Sequence, residues 1–211
     1  MKELFSLQDL FNQRLFRIPD YQRGYSWTEQ QLTEFWEDII NLPLNRDHYT
    51  GMISLRKLKT EETKDWTEEL WLLNNWGYDA YHVVDGQQRL TTFIILMNEI
   101  IKFYKNLPEN AEKGYDSIFI NSLPLSEIMK SYLCIVKPDS EGQLRTYKFG
   151  YEVDNPSYEF FKYRILEADT PGDIHETFYT LNLENAKNFF ANILQETYEQ
   201  YGIGEIEKLF I

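Results

Sequence analysis

Apolar positions along this chain change period several times, and each change predicts an element. Leu32, Phe35, Trp36, Ile39 and Ile40 fall at i, i+3, i+4, i+7 and i+8, the spacing of one helix face. Thr28 and Gln31 ahead of them have capping-box spacing, and Pro43 follows the end. A shorter helix is predicted over Leu7–Phe11, capped by Ser6 with Asp9 at the third position. Phe16–Arg17–Ile18 reads as a strand that Pro19 ends. Tyr49 to Leu58 reads as a second strand, with Gly51 where a backbone or ligand approaches closely. Tyr81–Val84 is a core strand that runs into a long apolar helix, Thr92 to Tyr104. Between these strands, residues 59–80 are acidic as far as Glu69 and then read Leu70–Trp71–Leu72–Leu73–Asn74–Asn75–Trp76–Gly77. A hairpin insertion with its turn near Asn74 to Gly77 is expected, and its tryptophans have two readings, packing it onto its own domain or reaching the site.

The pattern changes after Lys105. Tyr132 to Val136 and Leu144 to Phe149 read as two strands around a turn near Pro138–Gly142. Tyr158 to Ala168 reads as helix, Thr170–Pro171–Gly172–Asp173 as a turn, and Leu183 to Tyr201 as a final helix facing inward through Ala186, Phe189, Phe190, Ile193, Leu194 and Tyr198. The fold class is therefore α+β: a small mixed sheet with flanking helices over residues 1–106, then a mainly helical extension over 107–211.

Composition adds constraints. A chain of 211 residues with 15 Tyr, 14 Phe and 5 Trp can build a full core. The one cysteine, Cys134, excludes an internal disulfide and lies in an apolar run, as a buried thiol does. No apolar leader opens the chain, and the longest apolar run, Phe93 to Met97, is far too short to span a bilayer, so a cytoplasmic protein is expected. Net charge is −13, unevenly distributed: the first sixty residues hold eight basic and eight acidic groups, and the other 151 hold 13 and 26. An acidic chain is a poor general DNA binder. A local basic pocket remains available from Arg14, Arg17, Arg23, Arg46, Arg56 and Arg89.

Candidate chemistry concentrates in two loops. Asp85–Gly86–Gln87–Gln88–Arg89 lies between the Tyr81–Val84 strand and the helix behind it, where free amides and the helix dipole favour an anion. Ile18 to Trp27 gathers Tyr21, Gln22, Arg23, Tyr25 and Trp27 in a loop that also leads into a helix. Arg23 and Arg89 offer planar forks to phosphate oxygens. Gly86 permits close backbone approach, the glutamines can orient a water or read a base, and the aromatics offer stacking faces. Asp85 has two readings, a Mg²⁺ ligand or a helix cap paired with Gln88. His48, His82 and His175 show no metal spacing, and His82 reads as structural; neither a Walker A run nor a nucleophile motif is present.

The run I-P-x-Y-Q-R-x-Y-x-W, here Ile18 to Trp27, followed some sixty residues later by D-G-Q-Q-R-L-T-T, here Asp85 to Thr92, resembles the N-terminal domain of GmrSD-type modification-dependent restriction proteins. Tyr49 to Leu55, Phe149 to Glu152, Asn155–Pro156–Ser157 and Asn185 to Phe190 are similar to further family segments, more weakly. The resemblance implies a ParB/sulfiredoxin-like fold that binds and hydrolyses a nucleoside triphosphate with Mg²⁺ to control cleavage of modified foreign DNA. It implies catalytic roles for Asp85, Gln88 and Arg89, and nucleotide binding by Tyr21, Gln22, Arg23, Tyr25, Trp27, Gly86, Gln87, Thr91 and Thr92. It further implies an HNH-type nuclease domain or subunit as partner. The family's F-E-x-x-N-x-R-G stretch and nuclease motif do not occur before Ile211, so a fragment that hydrolyses nucleotide weakly and carries no nuclease site is expected. The alternative is a non-catalytic DNA- or partner-binding module whose Gln-Arg loops contact phosphates.

Overall fold

The computed structural model describes residues 4–43, 46–138, 144–168, 174 and 176–210. The turns expected at Pro138–Gly142 and Thr170–Asp173 lie largely outside the described residues. The elements run α1 (Leu7–Phe11), β1 (Arg14–Ile18), α2 (Glu29–Ile40), β2 (Ser54–Lys57), α3 (Leu70–Asn75), β3 (Asp79–Asp85), α4 (Gln87–Asn106), β4 (Phe119–Ile120), β5 (Leu123–Pro124), α5 (Leu125–Ile128), β6 (Cys134–Val136), β7 (Arg145–Tyr147), β8 (Phe149–Tyr151), α6 (Tyr158–Phe160), α7 (Phe178–Tyr201) and α8 (Ile203–Glu207). The fold is α+β, as the apolar pattern predicts.

One four-stranded mixed sheet, ordered β2-β3-β1-β8, organises the molecule. β1 runs parallel to both β3 and β8, with Phe16 opposite Tyr81 on one side and Phe149 on the other. β2 closes one edge antiparallel to β3. β8 comes from the second half of the chain, so residues on both sides of 106 build this sheet. Side chains alternate across it. Phe16, Ile18, Val83, Phe149 and Tyr151 face the main core beneath α4 and α7, where Leu90, Ile94, Leu183, Phe190 and Leu194 are buried. Leu15 and Ala80 face the opposite layer, with Leu58, Trp66, Leu72 and Ile135.

The insertion over 59–80 corrects the hairpin expectation. It is helical: a 3₁₀ turn at Thr60–Thr63 and then α3. The second sheet face needs an apolar cover, and α3 supplies it by burying Leu72 completely. Gly77, at φ +70°, turns the chain back into β3. The tryptophans serve this layer. Trp66 Nε1 donates to Glu152, Trp71 Nε1 donates to Thr146 Oγ1 at 2.9 Å, and the Arg17 guanidinium lies 5.0 Å from the Trp66 ring centroid. Arg17 itself is buried, paired with Glu69 and donating to the Tyr147 carbonyl at 3.1 Å.

Other boundaries shift. The strand expected over Tyr49–Leu58 is regular only from Ser54, because Gly51 sits at φ +98° and breaks the ladder. The capping boxes at Thr28/Gln31 and at Thr177/Thr180 both form, and the second starts α7 five residues before Leu183. β6 and β7 form the expected hairpin, after a π-helical turn at Met129–Leu133. Cys134 is buried, and burial pushes its thiol up to about 11.

Candidate functional site

The C-terminal ends of the three parallel strands meet at one edge of the sheet, the position where open α/β sheets commonly bind ligands. β1 delivers the loop Pro19–Trp27 and β3 delivers Asp85–Gly86 and the start of α4. β8 delivers Glu152 to Ser157, and the Asn155 amide donates to the Pro19 carbonyl at 3.0 Å.

Gly86 is the N-cap of α4, at φ +87°. A side chain there would also press on Ile53, whose Cγ1 would lie 3.0 Å from its Cβ. Only glycine meets both demands. The Leu90 amide is the first of the helix to find a helical acceptor, the Gly86 carbonyl at 3.1 Å. The amides ahead of it have no acceptor within the helix, as at any helix start. Asp85 corrects the capping-box reading, because Gly86 caps the helix and Gln88 is engaged elsewhere. Asp85 stands exposed and makes no side-chain hydrogen bond among the described residues.

The two glutamines of the second loop hold the first loop. Gln88 Oε1 accepts from the Ser26 amide at 2.9 Å, and its Nε2 donates to the Gly24 carbonyl at 3.2 Å. Gln87 Nε2 donates to the Arg23 carbonyl at 3.3 Å. In the other direction, Gln22 Nε2 donates to the Val84 carbonyl at 3.1 Å. Gln87 and Gln88 are both buried. The amide is suited to this work because it donates and accepts at once. The structure thus joins Gln22 and Arg23 of the first loop to the end of β3 and to Gln87 and Gln88 at the start of α4.

Not every candidate faces solvent. Tyr25 is wholly buried, so the stacking face expected of it is turned into the core. Its phenol lies 2.6 Å from Thr92 Oγ1, and that hydroxyl donates onward to the Gln88 carbonyl at 2.9 Å. The Tyr25 hydroxyl is therefore the donor of the pair, and burial holds its pKa well above the ordinary tyrosine value. Thr91 and Thr92 are interior as well. The Tyr25–Thr92 contact ties the first loop to α4. Tyr21 is exposed, and Trp27 is half-buried against Phe35 with ring centroids 5.9 Å apart. The Arg23 guanidinium is exposed and has no partner among the described residues.

Arg89 lies beyond the clamp. Its Nη2 donates to the Met52 carbonyl at 2.5 Å, and its Nε is buried without a partner. A Cβ on Gly51 would sit 2.7 Å from Arg89 Nη1. The glycine of the Tyr49–Leu55 segment is thus the seat of this guanidinium, a concrete form of the close approach that its sequence position suggests.

Sequence reasoning missed the roof of the site. Asn182 in α7 donates to the Tyr25 carbonyl at 3.2 Å, and the Tyr179 ring lies flush on Gly24, within 2.5 Å of where a Cβ would be. Neither residue stands in a motif or a periodic run that marks it. Sequence reasoning read His82 as structural but named no partner for it. On the insertion side of the sheet, His82 Nε2 lies 2.7 Å from Glu152 Oε1 and its Nδ1 lies 2.9 Å from Arg56 Nη2. Arginine has no acceptor, so Nδ1 accepts and Nε2 carries the proton toward Glu152. Arg56 also pairs with Glu62. This network ties β2, β3 and the segment after β8 together, in keeping with a structural His82.

With this geometry in place, the family comparison is decisive. A family model described as GmrSD restriction endonuclease, N-terminal domain, matches residues 7–204. The chain belongs to the GmrSD N-terminal domain family. Membership implies a role in a restriction system. No curated protein matches the chain. Both Gln-Arg loops of this GmrSD-type domain lie inside the matched span, as do Asn155, Tyr179 and Asn182. No described helix of the domain is long and apolar enough to cross a membrane.

Proposed function

We propose that this GmrSD-type domain binds a nucleoside triphosphate at the joined loops and hydrolyses it to regulate restriction of modified DNA. The observation that carries the reading is the clamp of Gln87 and Gln88 on residues 23–26, which holds the Arg23 loop beside the first turn of α4. The site then has helix-start amides without a helical acceptor, the Arg23 guanidinium, unpartnered among the described residues, and the half-buried Arg89. Preorganised donors of this kind suit phosphate oxygens, and phosphoryl transfer depends chiefly on placement and charge neutralisation.

Mg²⁺ fits the donor set in a limited way. Asp85 is exposed at the start of the helix, and among the described residues no three His, Cys, Asp or Glu side chains are grouped to hold a metal. A single carboxylate suits an ion that arrives on phosphates and keeps most of its water. When bound, Mg²⁺ would neutralise phosphate charge. The chain's own residues would bind the phosphates through Arg23, Arg89 and the α4 amides, and the exposed Tyr21 and half-buried Trp27 would offer faces to a base. An HNH-type nuclease domain or subunit and modified DNA would complete the system, in a cytoplasmic setting.

Titration with each of the four triphosphates, with and without Mg²⁺, tests this reading against the second one, contact of the same loops with a DNA backbone. Saturable, Mg²⁺-enhanced triphosphate binding and weak duplex binding at ~0.15 M salt are expected. Tight duplex binding with a steep salt dependence and no triphosphate binding would favour the second reading.

A further inference from the structure

Beside the loops, but on the far side of Arg89, lies a cavity of about 240 Å³ between α2 and α4. Phe35 and Ile39 form one wall, Phe93 and Met97 the other, and Leu209 and Phe210 close it from below. Among the described residues, the cationic ones lining it are Arg46, Arg89 and Lys208, and no carboxylate lines it. Lys208 is neutralised by Glu205 at 2.5 Å. Arg46 is exposed, and its guanidinium has no partner among the described residues. Arg89 is committed to Met52 by one Nη2 bond only, and its Nε is orphaned.

An apolar space of this size is not neutral. Apolar walls favour apolar ligands, and an enclosed cavity of ~150 Å³ lined by Leu, Ile and Phe takes up benzene. Here two arginines with donors to offer share the lining with the apolar walls, and no described carboxylate lines the space. We propose that the cavity is a binding site for an amphipathic anion, with a short aliphatic chain or a ring between α2 and α4 and a carboxylate or phosphate head against Arg46 and Arg89. The cavity lies outside the clamp of Gln87 and Gln88 but shares Arg89 with the proposed nucleotide site; its apolar walls and Arg46 are its own, so anion binding there does not require the nucleotide reading.

The probes are octanoate and octyl phosphate, with octylammonium and octanol as controls, titrated into the 211-residue chain by calorimetry below their aggregation concentrations. Binding of at least one anion is expected, with the preferred head telling carboxylate from phosphate. Affinity should rise about fourfold per methylene from hexanoate to octanoate, because each buried CH₂ contributes ~0.8 kcal/mol. Arg46→Gln should weaken binding roughly tenfold without changing the melting temperature, since the side chain has no partner among the described residues. Ile39→Trp, which fills the cavity, should abolish binding; if that variant fails to fold, the chain-length series and Arg46→Gln still decide. Absence of anion binding, equal affinity for octylammonium, or affinity independent of chain length would overturn the proposal.

Discussion

Gln88→Leu is the sharpest perturbation of the clamp. Leucine is close in size to glutamine but can neither accept from the Ser26 amide nor donate to the Gly24 carbonyl, contacts of 2.9 and 3.2 Å. Each neutral hydrogen bond contributes about 0.5–1.5 kcal/mol net, and a donor left buried adds its desolvation cost. Gln88 is buried, but Ser26 and Gly24 are half-exposed, so water can satisfy part of what is lost. A net loss of about 1–3 kcal/mol is expected, and about 2–4 °C of melting temperature per kcal/mol for a chain of this size. The functional consequence should exceed the stability one. Without the clamp, residues 23–26 move independently of α4, and a two-anchor phosphate site becomes a one-anchor site with ordering entropy restored. Triphosphate affinity should fall about tenfold or more. Urea unfolding and nucleotide titration of one preparation measure both effects. Gln88→Glu retains an acceptor for Ser26 but loses the donor to Gly24, and should fall between leucine and the parent in stability. A Gln88→Leu variant with parental stability and parental affinity would refute the claim that this amide holds the site together.

Four further outcomes are expected. Arg89→Ala should weaken triphosphate binding by about ten- to a hundredfold, the range of a charge-assisted contact, while unfolding in urea close to the parent, because its one side-chain hydrogen bond among the described residues is to Met52. Gly51→Ala should destabilise by roughly 1–3 kcal/mol and displace Arg89, since it imposes strain at φ +98° and puts a methyl 2.7 Å from the guanidinium; urea midpoints and nucleotide affinity read the two effects. Burial holds Lys148 down to about 8, below its ordinary 10.5, so the folded state disfavours its charge. The unfolded chain binds more protons between about pH 8 and 10.5, so this group's contribution to stability should rise with pH across that window, and the parent minus Lys148→Met difference should show that slope. Finally, the 211-residue chain incubated with plasmid, Mg²⁺ and each triphosphate should leave the DNA intact; nicking that survives repurification and is lost in Asp85→Ala would place nuclease chemistry in this domain.

Much of the site was legible because it is local. A strand that ends in Asp85–Gly86 and a helix that starts at Gln87 are set by period and by glycine, and two loops of like composition imply a common place. The use made of the glutamines was not legible. Donors that look free in a motif are engaged here on the backbone of the partner loop, a long-range fact that no spacing encodes. The same reason hid the roles of Tyr179 and Asn182, which reach the loop from a helix more than 150 residues away. It also hid β8, which joins β1 in parallel from the far half of the chain. The insertion was misread for a different cause. Leu70–Trp71–Leu72–Leu73 is apolar without a period, and short runs of that kind suit strand or helix until something demands a cover. The second sheet face, with Leu15 and Ala80, makes that demand and selects the helix.

The central claim is that a triphosphate sits where the two Gln-Arg loops meet. Amide hydrogen exchange of the chain with and without Mg²⁺ and saturating triphosphate tests it most directly. Protection on binding should concentrate at residues 22–27 and at the first turn of α4, residues 87–89, with Arg23→Ala and Arg89→Ala each reducing it. Binding that leaves both segments exchanging as in the free chain, with protection elsewhere or nowhere, would contradict the account.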